Sequence, residues 1–239
     1  MSTTPTICGK RKVDSTSVNT HGYNLNNKKV MSHLEMELFD KGLSYMMYYS
    51  KSADCALFDG VKEWCNPNEN RDKYYGLTVI PHFRRMLSAF HVTRIPIEFK
   101  IDLATRSRDE GKIETFRFAS MEHNHHFLKY ILHNREYAMK FTINSGSDFC
   151  KDPAKAKKAG GKSGGVPLNK VQLDQSNQLI SKHSVEMYMA KYDADSTAYL
   201  VLMRTLDIQL THFTGRGGTH VLEHDHMTAR SLLRKQAPC

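Results

Sequence analysis

From Ile95 onward, apolar and polar side chains alternate with a period of two: Ile95, Ile97, Phe99, Ile101 and Leu103 against Glu98, Lys100 and Asp102. That period belongs to a strand with one buried face. A turn at Arg108-Asp109-Glu110-Gly111, where glycine tolerates positive φ, leads to a return strand with Ile113, Phe116 and Phe118, so the stretch predicts a β-hairpin. Pro96 suits the start of an edge strand. The period then changes. Phe127, Leu128, Ile131 and Leu132 form one helical stripe within Met121–Arg135.

Other stretches follow the same two periods. Leu34, Leu38, Leu43, Met46 and Met47 predict one helix broken at Gly42 or two short ones, and Pro81 ahead of Phe83, Met86, Leu87 and Phe90 predicts a helix start. Tyr137, Met139, Phe141 and Ile143 alternate as a strand, as do Val185, Met187 and Met189, while Tyr199–His212 reads as one long strand. The Gly215-Arg216-Gly217-Gly218 run breaks that strand, and His220–Gln236 predicts a closing helix. The expected fold class is α+β: a single domain over 31–239 with a small antiparallel sheet packed by helices.

Two stretches lack either period. Residues 1–30 are Thr, Ser, Asn and Lys with few large apolar groups, and predict a disordered basic tail. Residues 144–170, rich in Gly, Ser and Lys, predict a mobile basic loop. Charge adds meaning to both. The tail holds Lys10, Arg11, Lys12, Lys28 and Lys29 against Asp14, and the Lys151–Lys170 part of the loop holds Lys151, Lys155, Lys157, Lys158, Lys162 and Lys170 against Asp152. Together they account for the chain's whole formal charge of +9, leaving the rest neutral. A neutral body with two cationic segments points to a polyanion, either RNA or an anionic membrane surface. The spacing of Lys10-Arg11-Lys12 and Lys28-Lys29 is also that of a bipartite nuclear import signal, which a nuclear import receptor would read.

Candidate chemistry narrows the reading further. Ala156-Lys157-Lys158-Ala159-Gly160-Gly161-Lys162-Ser163 differs from the phosphate-binding Gly-x-x-x-x-Gly-Lys-Ser loop only at Ala156. It lacks the strand before and the helix directly after that such a loop requires. His123, His125 and His126 follow Glu122, and His220, His224 and His226 surround Glu223 and Asp225. With His220 and His224 on one helical face, these six histidines define an alternative reading as a metal-dependent nuclease, although neither cluster matches His-Glu-x-x-His and ordinary hydrogen-bonded histidines are far commoner. No nucleophile elbow occurs. No metal or other cofactor is therefore expected, and no enzymatic activity. The aromatic runs Tyr45-Met46-Met47-Tyr48-Tyr49 and Tyr74-Tyr75 suit a core or base stacking. Five scattered cysteines predict free thiols in a reducing compartment. No run of about 18 apolar residues is present and the N-terminus lacks a secretory core, so the expected location is cytosolic or nuclear.

This order, a basic tail, helices, a long hairpin, a helix, a strand, a mobile loop, two strands and a terminal helix, resembles the matrix proteins of rhabdoviruses, most of all the plant-infecting members. The resemblance is architectural, over roughly Ile95–Gln236. The Pro-Pro-x-Tyr budding signal of some animal-virus relatives is missing. The resemblance implies a virion protein that self-associates, condenses the viral ribonucleoprotein and bridges it to an anionic membrane. A nucleocapsid, movement or silencing-suppressor protein acting on RNA alone is the other binding reading.

Overall fold

A computed structural model describes residues 32–52, 55–59, 63–103, 113–161, 164–213 and 220–236. The basic tail, the hairpin turn, Lys162 and the Gly215–Gly218 run lie outside these residues. The architecture is α+β, as the pattern predicts. Within it the chain forms two compact units, the first from Met1–Ser88 and Leu200–Met227, the second from Ala89–Tyr199 and Thr228–Cys239.

The first unit opens with helix α1 (His33–Asp40). Ser32 and Glu35 cap it reciprocally, each side chain accepting the other's backbone N–H. Gly42, at φ +66°, ends it. The residues expected to resume a helix instead form strand β1 (Tyr45–Tyr48). Its partner is far away in sequence: β4 (Gln209–Phe213) runs parallel to it from Tyr45↔Gln209 to Tyr48↔His212, and β5 (His220–Leu222) pairs antiparallel with β4. The sheet is thus small and mixed, in the order β1-β4-β5, with one parallel ladder that the pattern does not predict. A local period cannot reveal a ladder whose other half lies far along the chain. Leu38, Tyr45 and Trp64 form its core.

Helices α2 (Tyr75–Thr78) and α3 (Phe83–Leu87) complete this part, the latter at the place marked by Pro81. Arg84 points inward to a buried carboxylate. Its Nε and Nη2 donate to the two oxygens of Glu63 at 2.8 and 2.7 Å, and Nη1 and Nη2 donate to the carbonyls of Cys55 and Ala56. Glu63 also accepts the N–H of Phe58, whose φ is +67°.

The second unit contains the predicted hairpin, β2 (Ile97–Asp102) and β3 (Ile113–Phe118), in register from Ile97↔Phe118 to Asp102↔Ile113. Ile97, Phe99, Ile101, Phe116 and Phe118 are buried. Helix α4 (Met121–Ile131) lies where its stripe placed it, with Phe127 centred 4.4 Å from Phe116 and 5.1 Å from Phe118.

Beyond α4 the predicted strands are helices. Tyr137 and Met139 fall in α5 (Arg135–Met139), Phe141 in the turn after it and Ile143 in a 3-10 turn (Ile143–Ser145). Val185, Met187 and Met189 fall in α7 (Lys170–Ala194), which Asn169 and Gln172 cap reciprocally. Its inner face is a four-residue repeat, His183, Met187 and Lys191, with Tyr188 and Tyr192 beside it. A histidine and a lysine on that face hide the helical period and leave only a short alternation visible. Tyr199–His212 divides into α8 (Ser196–Arg204) and β4. His220–Leu222 is β5, so the closing helix α9 spans only His224–Gln236. Among the described residues no helix is long and apolar enough to cross a membrane. Cys55, Cys65 and Cys150 are free thiols.

Candidate polyanion-binding face and adjoining pocket

The described part of residues 144–170, expected as a mobile loop, includes short helices. After 3-10 turns at Ile143–Ser145 and Asp148–Cys150 comes helix α6 (Pro153–Gly160). Asp152 caps it by accepting the Ala154 N–H at 2.7 Å, and Pro153 takes the first helical position, where its missing N–H costs nothing. Ala156, Ala159 and Gly160 are buried, and such small side chains let α6 approach α4 closely. The sequence signal for this helix, Asp-Pro followed by three alanines, is masked by the Gly- and Lys-rich composition around it.

The burial pattern leaves Lys155, Lys157 and Lys158 exposed. None of the three is in an ion pair among the described residues. Lys151 and Lys170 differ. They meet Asp148 at 3.2 Å and Asp174 at 3.3 Å in exposed pairs of little energetic weight. Five of the eleven cations singled out in the sequence are therefore described; the other six, Lys10, Arg11, Lys12, Lys28, Lys29 and Lys162, lie outside the described residues. Within α6, Lys155 and Lys158 are i, i+3 neighbours. Lys157 leans elsewhere, its Nζ 5.1 Å from the centre of the Phe90 ring.

Lys157 marks the mouth of a pocket of about 460 Å³ bounded by α4, the end of α6 and α7. Its size lies within the usual range for small-ligand sites. Met121, Ile180 and Met187 give it apolar wall, while Glu122, His125 and Ser184 give it polar groups. Glu122 accepts from His126 Nε2 at 3.2 Å. Burial acts to raise the Glu122 pKa, but that hydrogen bond, the neighbouring His126 and His125 imidazoles and Lys157 outweigh it, so the carboxyl sits below its ordinary range and is ionised at neutral pH. Burial pushes His125 down to about 4, aided by His126 and the lysines, so it is neutral there. Lys129 donates to the Gly160 carbonyl at 2.5 Å, closing the C-terminal end of α6.

Gly160 is fixed by this packing. A Cβ at that position would overlap the His126 ring, whose Nδ1 is buried without a hydrogen-bond partner. Gly160→Ala is expected to cost about 1–3 kcal/mol through overpacking, seen as a fall in melting temperature. An unchanged melting temperature would show that the ring swings aside freely. Gly160 and Gly161 also stand at the C-terminal end of α6, so the segment resembling a phosphate-binding loop has no helix N-terminus to offer a phosphate.

Among the described residues the histidines of the two clusters have separate neighbours. His123 is buried with Nδ1 2.7 Å from Ser120 Oγ, and burial lowers its pKa to about 4. In the first unit His226 Nδ1 lies 2.7 Å from the Tyr48 hydroxyl, and His220 lies in β5 with Nε2 3.6 Å from Glu35. His224 is exposed at the start of α9. His220 and His224 thus share no helical face, which corrects the geometry that the nuclease alternative requires. Among the described residues no group of three or more His, Cys, Asp or Glu side chains is placed to hold a metal ion. Tyr45, Tyr48 and Tyr74 are core residues, whereas Tyr75 is exposed. Periodicity does not reveal the pocket, because Glu122, Ser184 and Lys157 come from three helices, two of which carry the pattern of a strand or a loop. Comparison with protein-family models, with curated proteins and with solved structures finds no match to this chain.

Proposed function

We propose that the protein works by binding the phosphate backbone of RNA through the exposed lysines of α6, as an assembly protein of the matrix type and not as an enzyme. The observation that carries this reading is a capped, packed helix whose three exposed lysines are in no ion pair among the described residues. Lysines held on a helix lose less freedom on meeting phosphate than lysines on a flexible tether. RNA is favoured over a lipid surface because α6 exposes no large apolar side chain to enter an acyl layer. In this reading Lys10, Arg11, Lys12, Lys28 and Lys29 add a second contact, to RNA, an anionic membrane or a nuclear import receptor, and the protein self-associates on the ribonucleoprotein in the virion.

Charge contacts of this kind release counterions and therefore depend steeply on salt. The triple variant Lys155→Gln, Lys157→Gln, Lys158→Gln is expected to bind single-stranded RNA more weakly. Its log affinity should fall less steeply with log salt, by about 2 in slope, since each phosphate left without its cation removes about 0.7. A titration series across salt concentrations measures both. Unchanged affinity and slope would remove α6 from the interface, and binding to anionic vesicles but not to RNA would move the function to the membrane.

A further inference from the structure

The pocket beside α6 combines charges of both signs with apolar wall. Lys157, which is exposed, and Lys129, whose Nζ donates to the Gly160 carbonyl, line it together with the Glu122 carboxylate and the His125 imidazole. One Glu122 oxygen meets His126; the other accepts no hydrogen bond among the described residues. His125 and the Ser184 hydroxyl likewise make no side-chain hydrogen bond among the described residues. Between these polar groups the wall is Met121, Ile180 and Met187. Such a site suits a flat heterocycle that carries N–H donors, since a carboxylate pairs with the exocyclic amino group of a base, and thioether and aliphatic side chains pack on its face.

We infer that this pocket receives one base of a single-stranded RNA whose neighbouring phosphates rest on the α6 lysines, and that it selects a base with an exocyclic amino group. The inference rests on the RNA-binding reading above and gives it a base preference. Lys157 links the two: it shares α6 with Lys155 and Lys158 and also lines the pocket. Single-stranded RNA is commonly read this way, with phosphates positioned by cations and an unstacked base held by its edge.

The test compares the full chain and Ser184→Phe, which fills the pocket, on oligocytidylate, oligouridylate and inorganic polyphosphate. Wild type should bind oligocytidylate about tenfold more tightly than oligouridylate, the equivalent of one hydrogen bond to a charged group. The variant should lose that preference while holding polyphosphate as wild type does. Equal binding of the two RNAs by wild type, or a preference that survives in the variant, would overturn the base pocket and leave the α6 reading standing. Binding of polyphosphate or anionic vesicles but of neither RNA would overturn both. Should Ser184→Phe fail to fold, photocrosslinking of wild type to RNA containing 5-iodocytidine decides. Adducts on 121–129 or 180–188 support the pocket, and adducts found only elsewhere overturn it.

Discussion

Arg84→Ala is expected to destabilise the protein by about 3–5 kcal/mol, the usual cost of stranding one half of a buried ion pair. Both side chains are almost fully enclosed, at 4% and 2% exposure. Removing the guanidinium leaves the Glu63 carboxylate without two donors and the carbonyls of Cys55 and Ala56 without theirs. The effect is therefore larger than the worth of the pair. Replacing both partners with apolar residues of similar volume, Glu63→Leu with Arg84→Met, is expected to cost less than the single change, because no charge is then stranded. The Phe58 N–H would still lose its acceptor. Denaturant midpoints of the three proteins test this, and a single-variant loss under about 1 kcal/mol would mean that water reaches the site.

Lys191→Met is expected to stabilise the protein, with a gain that depends on pH. Lys191 is fully buried on the inner face of α7, and that burial lowers its pKa from 10.5 to about 7, with Asp195 opposing the shift. Asp195 is itself shared. It accepts the N–H groups of Thr197 and Ala198 and lies 2.9 Å from His91 Nε2. Burial tends to raise the Asp195 pKa, and the Ala198 N–H and His91 bring it below its ordinary value. Between pH 7 and 10.5 the unfolded chain holds a proton on Lys191 that the folded chain has released, so stability rises with pH across that window. Below pH 7 both states are protonated and the burial cost is fully present. Each tenfold change in proton affinity is worth about 1.4 kcal/mol, so that cost amounts to several kcal/mol. The variant should be more stable than wild type below pH 7, and the difference should shrink toward pH 10.5. Unfolding free energies measured across the range check it, and a constant difference would show that the ammonium is solvated in the fold.

The same lysine explains part of what the sequence concealed. His183 and Lys191 occupy inner positions of α7 beside Met187, so the apolar stripe of a 25-residue helix is interrupted and the alternation of Val185, Met187 and Met189 resembles a strand. Where only apolar residues face inward, the pattern is legible: the two hairpin strands and the α4 stripe both emerge from it, because the partner of each apolar row is close in sequence. β1 is hidden for the opposite reason. Tyr45–Tyr48 is a strand only because β4 completes its ladder. In the candidate site the charge of Lys155, Lys157 and Lys158 is evident from composition, and their order is not. Asp152-Pro153 and the buried alanines decide that, and they lie within a run that glycine and lysine dominate.

The parallel pairing of β1 with β4 also sets a timetable for biosynthesis. About 160 residues separate Tyr48 from Gln209, and at roughly 5–20 residues per second a ribosome needs about 8–30 s to deliver the second strand. During that interval Tyr45, Met46 and Tyr48, all buried in the finished fold, have no ladder partner from β4, whereas the β2–β3 hairpin closes as soon as its own short stretch has emerged. The first segment to be made is thus among the last to find its place. The nascent chain carries this apolar segment without its ladder until translation reaches β4.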